Sequence, residues 1–152
     1  MITKNFIKMC EKAEDIQKAW KPAIGDYSFN DEIFIISKIQ LDITTKMYRL
    51  DNVNNFSSLF EMENILQDNF IWLPTQEQLQ GMVKSVNVID LFMGLYRFVW
   101  GLNKLGEDIS LEARQYPCQF NSMQELYFAF VMKEHWNKVW NGEDWIKIDK
   151  VI

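Results

Sequence analysis

The pattern of apolar and polar positions predicts a long helix over residues 121–145, with a marked beginning and a marked end. Ser122 and Glu125 have the Ser-x-x-Glu spacing of a capping box, in which each side chain satisfies a backbone N–H of the first turn. Asn141-Gly142 is typical of a helix end, because glycine adopts the left-handed conformation without steric cost. Apolar residues surround the first half of this helix, so we expect its first turns to be buried on all sides.

Helical periodicity marks three further segments. Residues 4–20 predict one amphipathic helix whose apolar positions recur at steps of three and four. A second capping box begins at Thr75 and precedes apolar residues at helical spacing as far as Val86. Residues 88–101 predict a buried helix, in which Gly94 allows a neighbouring element to approach closely. The apolar stripe of the first helix consists of Phe6, Met9, Cys10, Ala13, Ile16 and Trp20.

Alternation of apolar residues predicts strands between the first helix and residue 75. Phe34 and Ile36 lie on the opposite face from the odd-numbered positions, so we expect a first strand at about 32–38 to be covered on both sides. A second strand is expected within 41–50 and a third at 70–73. The odd-numbered apolar positions are Ile33, Ile35, Ile39, Leu41 and Ile43.

Two segments are less clear in their period. Residues 56–67 fit a helix or a strand, and the helical spacing of their apolar residues favours a helix. Ile146 and Ile148 alternate with charged residues, which predicts a last edge strand in the C-terminal tail or a frayed end. The order helix, strands, helices predicts an α+β fold, with a small antiparallel sheet of two to four strands and helices packed on it. A length of 152 residues predicts one domain over 1–152.

Composition and charge restrict the function. The net charge is −5, and the lysines of the first helix alternate with acidic residues, as on a solvated helix surface. A nucleic-acid interface would have to combine those lysines with Lys133 and Lys138, so we expect no nucleic-acid partner. The apolar run at 86–102 contains Asp90 and Arg97, which are costly in lipid, so we expect no membrane span.

The two cysteines, Cys10 and Cys118, form no C-x-x-C motif, and Cys10 lies on the apolar stripe as a small core residue. The first fifteen residues contain no apolar run, which predicts that the chain has no signal peptide. We therefore expect a protein of a reducing cytoplasm.

No catalytic motif is present in the sequence. His135 is the single histidine and has no partner at metal-ligand spacing, and no G-x-S-x-G or glycine-rich phosphate loop occurs. We therefore predict no catalytic residue, no metal site and no cofactor. An alternative is a metal-dependent hydrolase or nuclease that uses scattered carboxylates. Its candidate ligands are Glu61, Glu63, Glu107, Asp108, Glu143, Asp144 and Asp149.

The six tryptophans are the other unusual feature of the sequence. By periodicity Trp20, Trp100 and Trp136 belong to the core. Trp140 and Trp145 lie where the last predicted helix emerges at the surface, and aromatic side chains at a surface anchor partner contacts. The candidate interface consists of Trp140, Glu143, Asp144 and Trp145.

Two sequence elements resemble a known group of proteins. A W-L-P-x-Q-x-Q-L-x-x-M element lies within 71–83, and an A-F-V-M segment followed by K-x-W-N-G-x-x-W lies within 122–145. Together they resemble a group of small uncharacterised proteins encoded by bacteriophages and prophages of low-GC Gram-positive bacteria. The resemblance implies a phage-encoded protein acting in the host cytoplasm, and it assigns no catalytic residue. The sequence thus predicts a non-catalytic accessory protein that acts by binding a host protein, a phage protein or itself.

Overall fold

A computed structural model describes residues 2–42, 44–84 and 87–149, and its chain divides into two compact units, Met1–Thr75 and Gln76–Ile152. Helix accounts for 44% of the structure and strand for 24%, which confirms the mixed class. Ile43, Val86 and the tail residues 150–152, which entered the predictions above, lie outside the described residues.

The first unit begins with two helices, α1 (Lys4–Glu11) and α2 (Glu14–Ala19), where one was predicted. The Cys10 carbonyl accepts both the Ala13 N–H at 3.1 Å and the Gln17 side-chain amide at 3.1 Å, so α1 closes and α2 starts anew. The predicted apolar stripe is confirmed, because all six of its side chains are buried.

An antiparallel sheet of five strands, curled into a half-barrel, follows in the first unit. The prediction of two to four strands is wrong. Asp31 turns the chain with a positive φ of 58°, so that a short, partly polar first strand pairs directly with the second. The strands in chain order are β1 (Tyr27–Asn30), β2 (Glu32–Leu41), β3 (Lys46–Asn52), β4 (Ser58–Met62) and β5 (Ile71–Leu73), and the order across the sheet is β4-β3-β2-β1-β5.

Segment 56–67 is split between a strand and a helix. Pairing with β3 draws Ser58–Met62 into β4, and only Glu63–Asn69 becomes helical as α3. The preference for a helix over the whole segment is therefore wrong, because its apolar spacing fits both periods and the neighbouring strand decides. The predicted strands within 41–50 and at 70–73 are confirmed as β3 and β5.

The even-numbered face of β2 is its core face. Phe34 and Ile36 are buried, whereas Ile33 and Ile35 are half-buried and Leu41 is exposed. A register shift between Ile36 and Lys38 interrupts the alternation, as a β-bulge does. The strand is thus only partly covered on its odd-numbered face.

A side-chain amide joins α2 to the edge strand β5. Gln17 donates to the Trp72 carbonyl at 3.0 Å and accepts the Trp72 N–H at 2.8 Å, which satisfies the backbone of β5 as a sixth strand would. The rings of Trp20 and Trp72 stack beside this amide with centroids 6.2 Å apart. These contacts protect a sheet edge that would otherwise be open to another chain.

The second unit is built around the helix α7 (Met123–Trp136), in which residues 127–132 are all buried, as predicted for the apolar run of this helix. The cap is also confirmed, because Ser122 Oγ accepts the Glu125 N–H at 3.1 Å. The Glu125 carboxylate, itself buried, accepts the Asn121 N–H at 3.1 Å. The other elements are α4 (Gln76–Met82), α5 (Val88–Trp100), α6 (Leu111–Gln115), a 3₁₀ turn at Tyr116–Gln119, β6 (Lys138–Trp140) and β7 (Trp145–Lys147).

The predicted end of the last helix is wrong. Helix α7 ends at Trp136, and Asn137 takes the left-handed conformation that caps it, with φ 54°. The Asn141-Gly142 pair instead lies in the turn of the β6–β7 hairpin. Asn-Gly is a hairpin signal as well as a helix-end signal, and the apolar residues on both sides of it pair as strands. Of the two alternatives for the tail, a strand forms as β7, which pairs with β6 in a separate two-stranded sheet.

The prediction that 88–101 is a buried helix is half wrong. The helix exists as α5, with Asn87 capping its first turn and Gly101 closing it in the left-handed conformation. Only Leu95 and Phe98 are buried on it. The predicted role of Gly94 is supported, because a Cβ at this position would lie 3.1 Å from Cζ of the buried Phe130 on α7.

We predict that Gly94→Ala and Gly81→Ala have opposite effects on stability. A Cβ at Gly81 in α4 meets nothing within 4 Å, so alanine should stabilise that helix by about 0.5 kcal/mol. At Gly94 the Phe130 ring must shift in a packed core, and we expect a net loss of about 1 kcal/mol. Urea unfolding of both variants measures the difference. Equal stabilisation of both would contradict the close packing of α5 on α7.

Candidate functional site

One face of α5 exposes a continuous row of large apolar side chains. Its positions are spaced by three, one, three and four residues, which places them on one side of a helix. Ile89 is 72% exposed and Phe92 64% exposed, although side chains of this kind are usually buried. The row, called the α5 face below, consists of Ile89, Phe92, Met93, Tyr96 and Trp100.

The opposite side of the same helix holds it on the protein. The Phe98 ring lies 5.4 Å from that of Phe130 and 5.8 Å from that of Tyr116, centroid to centroid. Leu95 is buried on this side, and Gly94 lets α7 approach. Leu95 and Phe98 thus pack one side of α5 against the second unit. The α5 face is a second apolar side of this helix and is directed away from the core of that unit.

The size of the α5 face identifies it as more than scattered surface residues. Phe92, Tyr96 and Trp100 are each about half exposed, and such side chains bury roughly 150–250 Å² each when fully covered. The Tyr96 and Trp100 rings also contact each other, with centroids 6.2 Å apart. Contiguous apolar patches of this extent on soluble proteins mark interaction sites.

Two charged side chains border the α5 face. Asp90 and Arg97 are the only charged residues of α5, and they are seven positions apart, so they lie along one flank of the helix. Asp90 is exposed and Arg97 is half-buried. Within the part of the chain that the structure describes, neither side chain forms an ion pair.

The interface residues predicted from the sequence lie elsewhere in the second unit. Trp140 and Trp145 face each other across the β6–β7 hairpin with centroids 5.2 Å apart, and both are buried. Trp145 also contacts Phe128 of α7. The expectation that these tryptophans are exposed is therefore wrong, since they attach the hairpin to the core. Trp100, which was expected in the core, is 53% exposed, and Trp136 is half-buried.

The acidic half of that predicted interface is exposed. Glu143 and Asp144 occupy the hairpin turn, where the Asn141 side chain accepts both of their backbone N–H groups, at 2.9 and 2.8 Å. A contact role for this turn stays a prediction. The sequence does not indicate the α5 face, because apolar residues on all sides of a helix are typical of a buried helix.

A cavity of about 930 Å³ lies in the second unit. At its wall the Lys133 ammonium lies 5.3 Å from the centre of the Phe98 ring, and burial lowers the pKa of Lys133. Burial also raises the pKa of Tyr116 to about 12, and its hydroxyl accepts the Trp140 N–H at 2.8 Å. The lining is mostly apolar with charges of both signs, and no nucleophile and base are paired among its described residues. Its charged and polar lining includes Lys104, Glu112, Tyr116, Lys133, Asn137 and Asp149.

The candidate metal ligands do not converge. Across residues 2–42, 44–84 and 87–149, no three His, Cys, Asp or Glu side chains are grouped to hold an ion. Glu63 accepts the Tyr48 hydroxyl at 2.9 Å and Asp108 pairs with Arg114. Glu107 accepts the Asn103 amide at 2.9 Å. Each of these carboxylates therefore has a local structural role. Glu61 is half-buried on β4, and Asp149 lies at the cavity.

His135 and the candidate basic residue Lys133 also make contacts within the protein. The His135 ring bonds to the Met82 carbonyl, which ties α7 to the end of α4, and it packs beside Trp136. Lys133 is half-buried over an aromatic ring rather than presented to solvent. A nucleic-acid surface that depends on Lys133 thus loses one of its proposed contacts.

Comparisons with known proteins do not assign this chain to a class, so any assignment depends on the geometry described above. No protein-family model, no curated protein and no solved structure matches the chain. No helix within the described ranges is long and apolar enough to cross a bilayer. The features that define the protein are its mixed helix-and-sheet structure and the exposed α5 face.

We predict that Tyr116→Phe destabilises the protein by about 1–3 kcal/mol near neutral pH, because the Trp140 N–H loses its acceptor. Burial favours the neutral form of Tyr116 in the folded state and thereby raises its pKa to about 12. The stabilisation of the folded state that results is fully present below the pKa of tyrosine in the unfolded chain, about 10, and is lost as the pH rises to 12. Part of the fall in wild-type unfolding free energy between these values should therefore be absent in the variant.

Urea unfolding across this alkaline range measures the effect. Tyr96→Phe, on the exposed α5 face, is the control and should leave the unfolding free energy within about 0.5 kcal/mol of wild type. An equal change in both variants would show that the Tyr116 hydroxyl does not support the hairpin.

Proposed function

We propose that this chain is a non-catalytic accessory protein of a bacteriophage or prophage, which acts in the host cytoplasm by binding protein through the α5 face. The observation that carries the proposal is the exposure of five large apolar side chains on a helix that is already packed on its other side. Covering such a surface removes apolar area from water, at roughly 25 cal/mol per Å² before the costs of association.

The phage origin is supported by the two sequence elements described above. In the structure their residues are largely internal: Trp72, Leu73 and Pro74 are buried at β5, and the A-F-V-M run is the buried part of α7. Each of these buried segments therefore contributes to the core of its own unit. The α5 face lies between them in the sequence, so the resemblance supports the class of protein and leaves the partner open.

An enzymatic alternative has less support. A metal-dependent hydrolase needs carboxylates that converge on an ion, and the described residues form no such group. The cavity contains a desolvated lysine and a buried tyrosine without a paired nucleophile and base. Binding through the α5 face needs only exposed apolar side chains, and the described residues provide them.

We predict that Phe92→Asp abolishes partner binding and leaves the fold intact. The side chain is 64% exposed, so its replacement should change the unfolding free energy by no more than about 0.5 kcal/mol. A carboxylate within the covered interface should weaken association by at least about tenfold, because it would be desolvated without a partner. Affinity capture with tagged protein from phage-producing cells, quantified by mass spectrometry, measures the loss.

Phe56→Asp is the matched control. Phe56 is fully exposed in the first unit and lies outside the α5 face, so the same substitution there should leave capture unchanged. Equal loss with both variants would point to general stickiness of exposed apolar residues. Unchanged capture with Phe92→Asp would contradict the assignment of the α5 face.

A further inference from the structure

We infer that the α5 face binds the same face of a second copy of this chain, with the two helices antiparallel and Asp90 of each copy opposite Arg97 of the other. The inference rests on the proposed function, since it names the occupant of the surface proposed above. It is carried by the arrangement of the two charged residues relative to the apolar row.

Helix geometry places Asp90 and Arg97 on the same flank of the α5 face. At 3.6 residues per turn, seven positions return to nearly the same angle and lie about 10 Å apart along the axis. They lie roughly 80–100° around the helix from the centre of the apolar row, as residues bordering a helix–helix seam do. Their opposite charges are therefore available to a helix that covers the row.

An antiparallel copy matches these charges. A two-fold axis passing between Met93 and Gly94 brings position 90 of one helix level with position 97 of the other, twice in each dimer. In an antiparallel pair the same flank of both helices lies on the same side of the seam, so each carboxylate meets a guanidinium. In a parallel pair Asp90 would be level with Asp90 of the second copy, with the two charged flanks on opposite sides of the seam.

The same axis also interleaves the apolar side chains. Around it, Phe92 and Met93 of one helix lie beside positions 94 and 95 of the other, and the outer members of the row alternate in level along the seam. Such alternation lets each side chain occupy a space between two side chains of the opposite helix. Contacts of this isologous kind close at two copies, which is the commonest symmetry of soluble oligomers.

The size of the surface sets the expected strength. Stable complexes bury about 800 Å² on each partner, whereas α5 is about 20 Å long and contributes a single row of side chains. We therefore expect a reversible dimer at the weak end of specific interfaces. Sedimentation velocity of the full chain over a wide concentration range should show a monomer–dimer equilibrium.

A charge exchange tests the antiparallel pairing. Asp90→Arg places two like-charged pairs in the dimer, and so does Arg97→Asp, so each alone should weaken dimerisation by about tenfold. The double variant Asp90→Arg/Arg97→Asp restores opposite charges across the seam and should return to within about threefold of wild type. Failure of the double variant to recover would overturn the pairing.

Cysteine crosslinking tests the orientation without altering these charges. In a Cys118→Ser background, Met93→Cys lies next to the two-fold axis and should oxidise to a covalent dimer. Ile89→Cys should not, because the two copies of position 89 are roughly 13 Å apart along the antiparallel axis. Crosslinking of both variants would indicate parallel helices and overturn the inference.

The two proposals fail in different ways. A wild-type chain that stays monomeric at every concentration would overturn self-association, while capture of another protein that is lost in Phe92→Asp would still support the proposed function. A dimer insensitive to Phe92→Asp would place self-association on another surface and overturn the inference. A dimer that is lost in Phe92→Asp, weakened in each single charge variant and restored in the double charge variant supports both.

Discussion

The structure of the second unit depends on the enclosure of one helix, α7. Small units bury only a limited fraction of their surface, so a unit of this size can surround no more than one helix on every side. Helix α7 takes that position, and the hairpin attaches to it through Trp145 on Phe128. Helix α5 must then lie outside, held by Phe98 and the approach at Gly94. Its second apolar side is left exposed as a consequence of this order.

Those parts of the fold that depend on local chemistry could be predicted from the sequence. The buried stripe of the first two helices follows from its three- and four-residue steps, and the start of α7 follows from the Ser122–Glu125 cap. Strand β5 follows from a short apolar run ended by Pro74. In each case the deciding interaction lies within a few residues along the chain, so a single sequence contains the information.

The remaining features depend on partners distant in sequence. Segment 58–62 becomes a strand because β3 offers it a ladder, and its apolar spacing alone fits a helix equally well. Asn141-Gly142 suits a helix end and a hairpin turn, and the pairing of Trp140 with Trp145 selects the hairpin. The α5 face could not be predicted for a related reason. Apolar residues on every side of a helix indicate that all its sides will be covered, but they do not indicate whether the covering residues belong to the same chain.

This distinction separates the residues that specify the fold from those that specify the interaction. The buried members of the W-L-P element and of the A-F-V-M run are constrained by packing, since any change of volume there is felt by their neighbours. The α5 face is constrained only by what covers it. Asp90 and Arg97 make this constraint specific, because an apolar row alone accepts any apolar helix, whereas two opposite charges on one flank discriminate between orientations of the partner. A second copy in the antiparallel orientation satisfies both charges at once and uses no residue that the core requires.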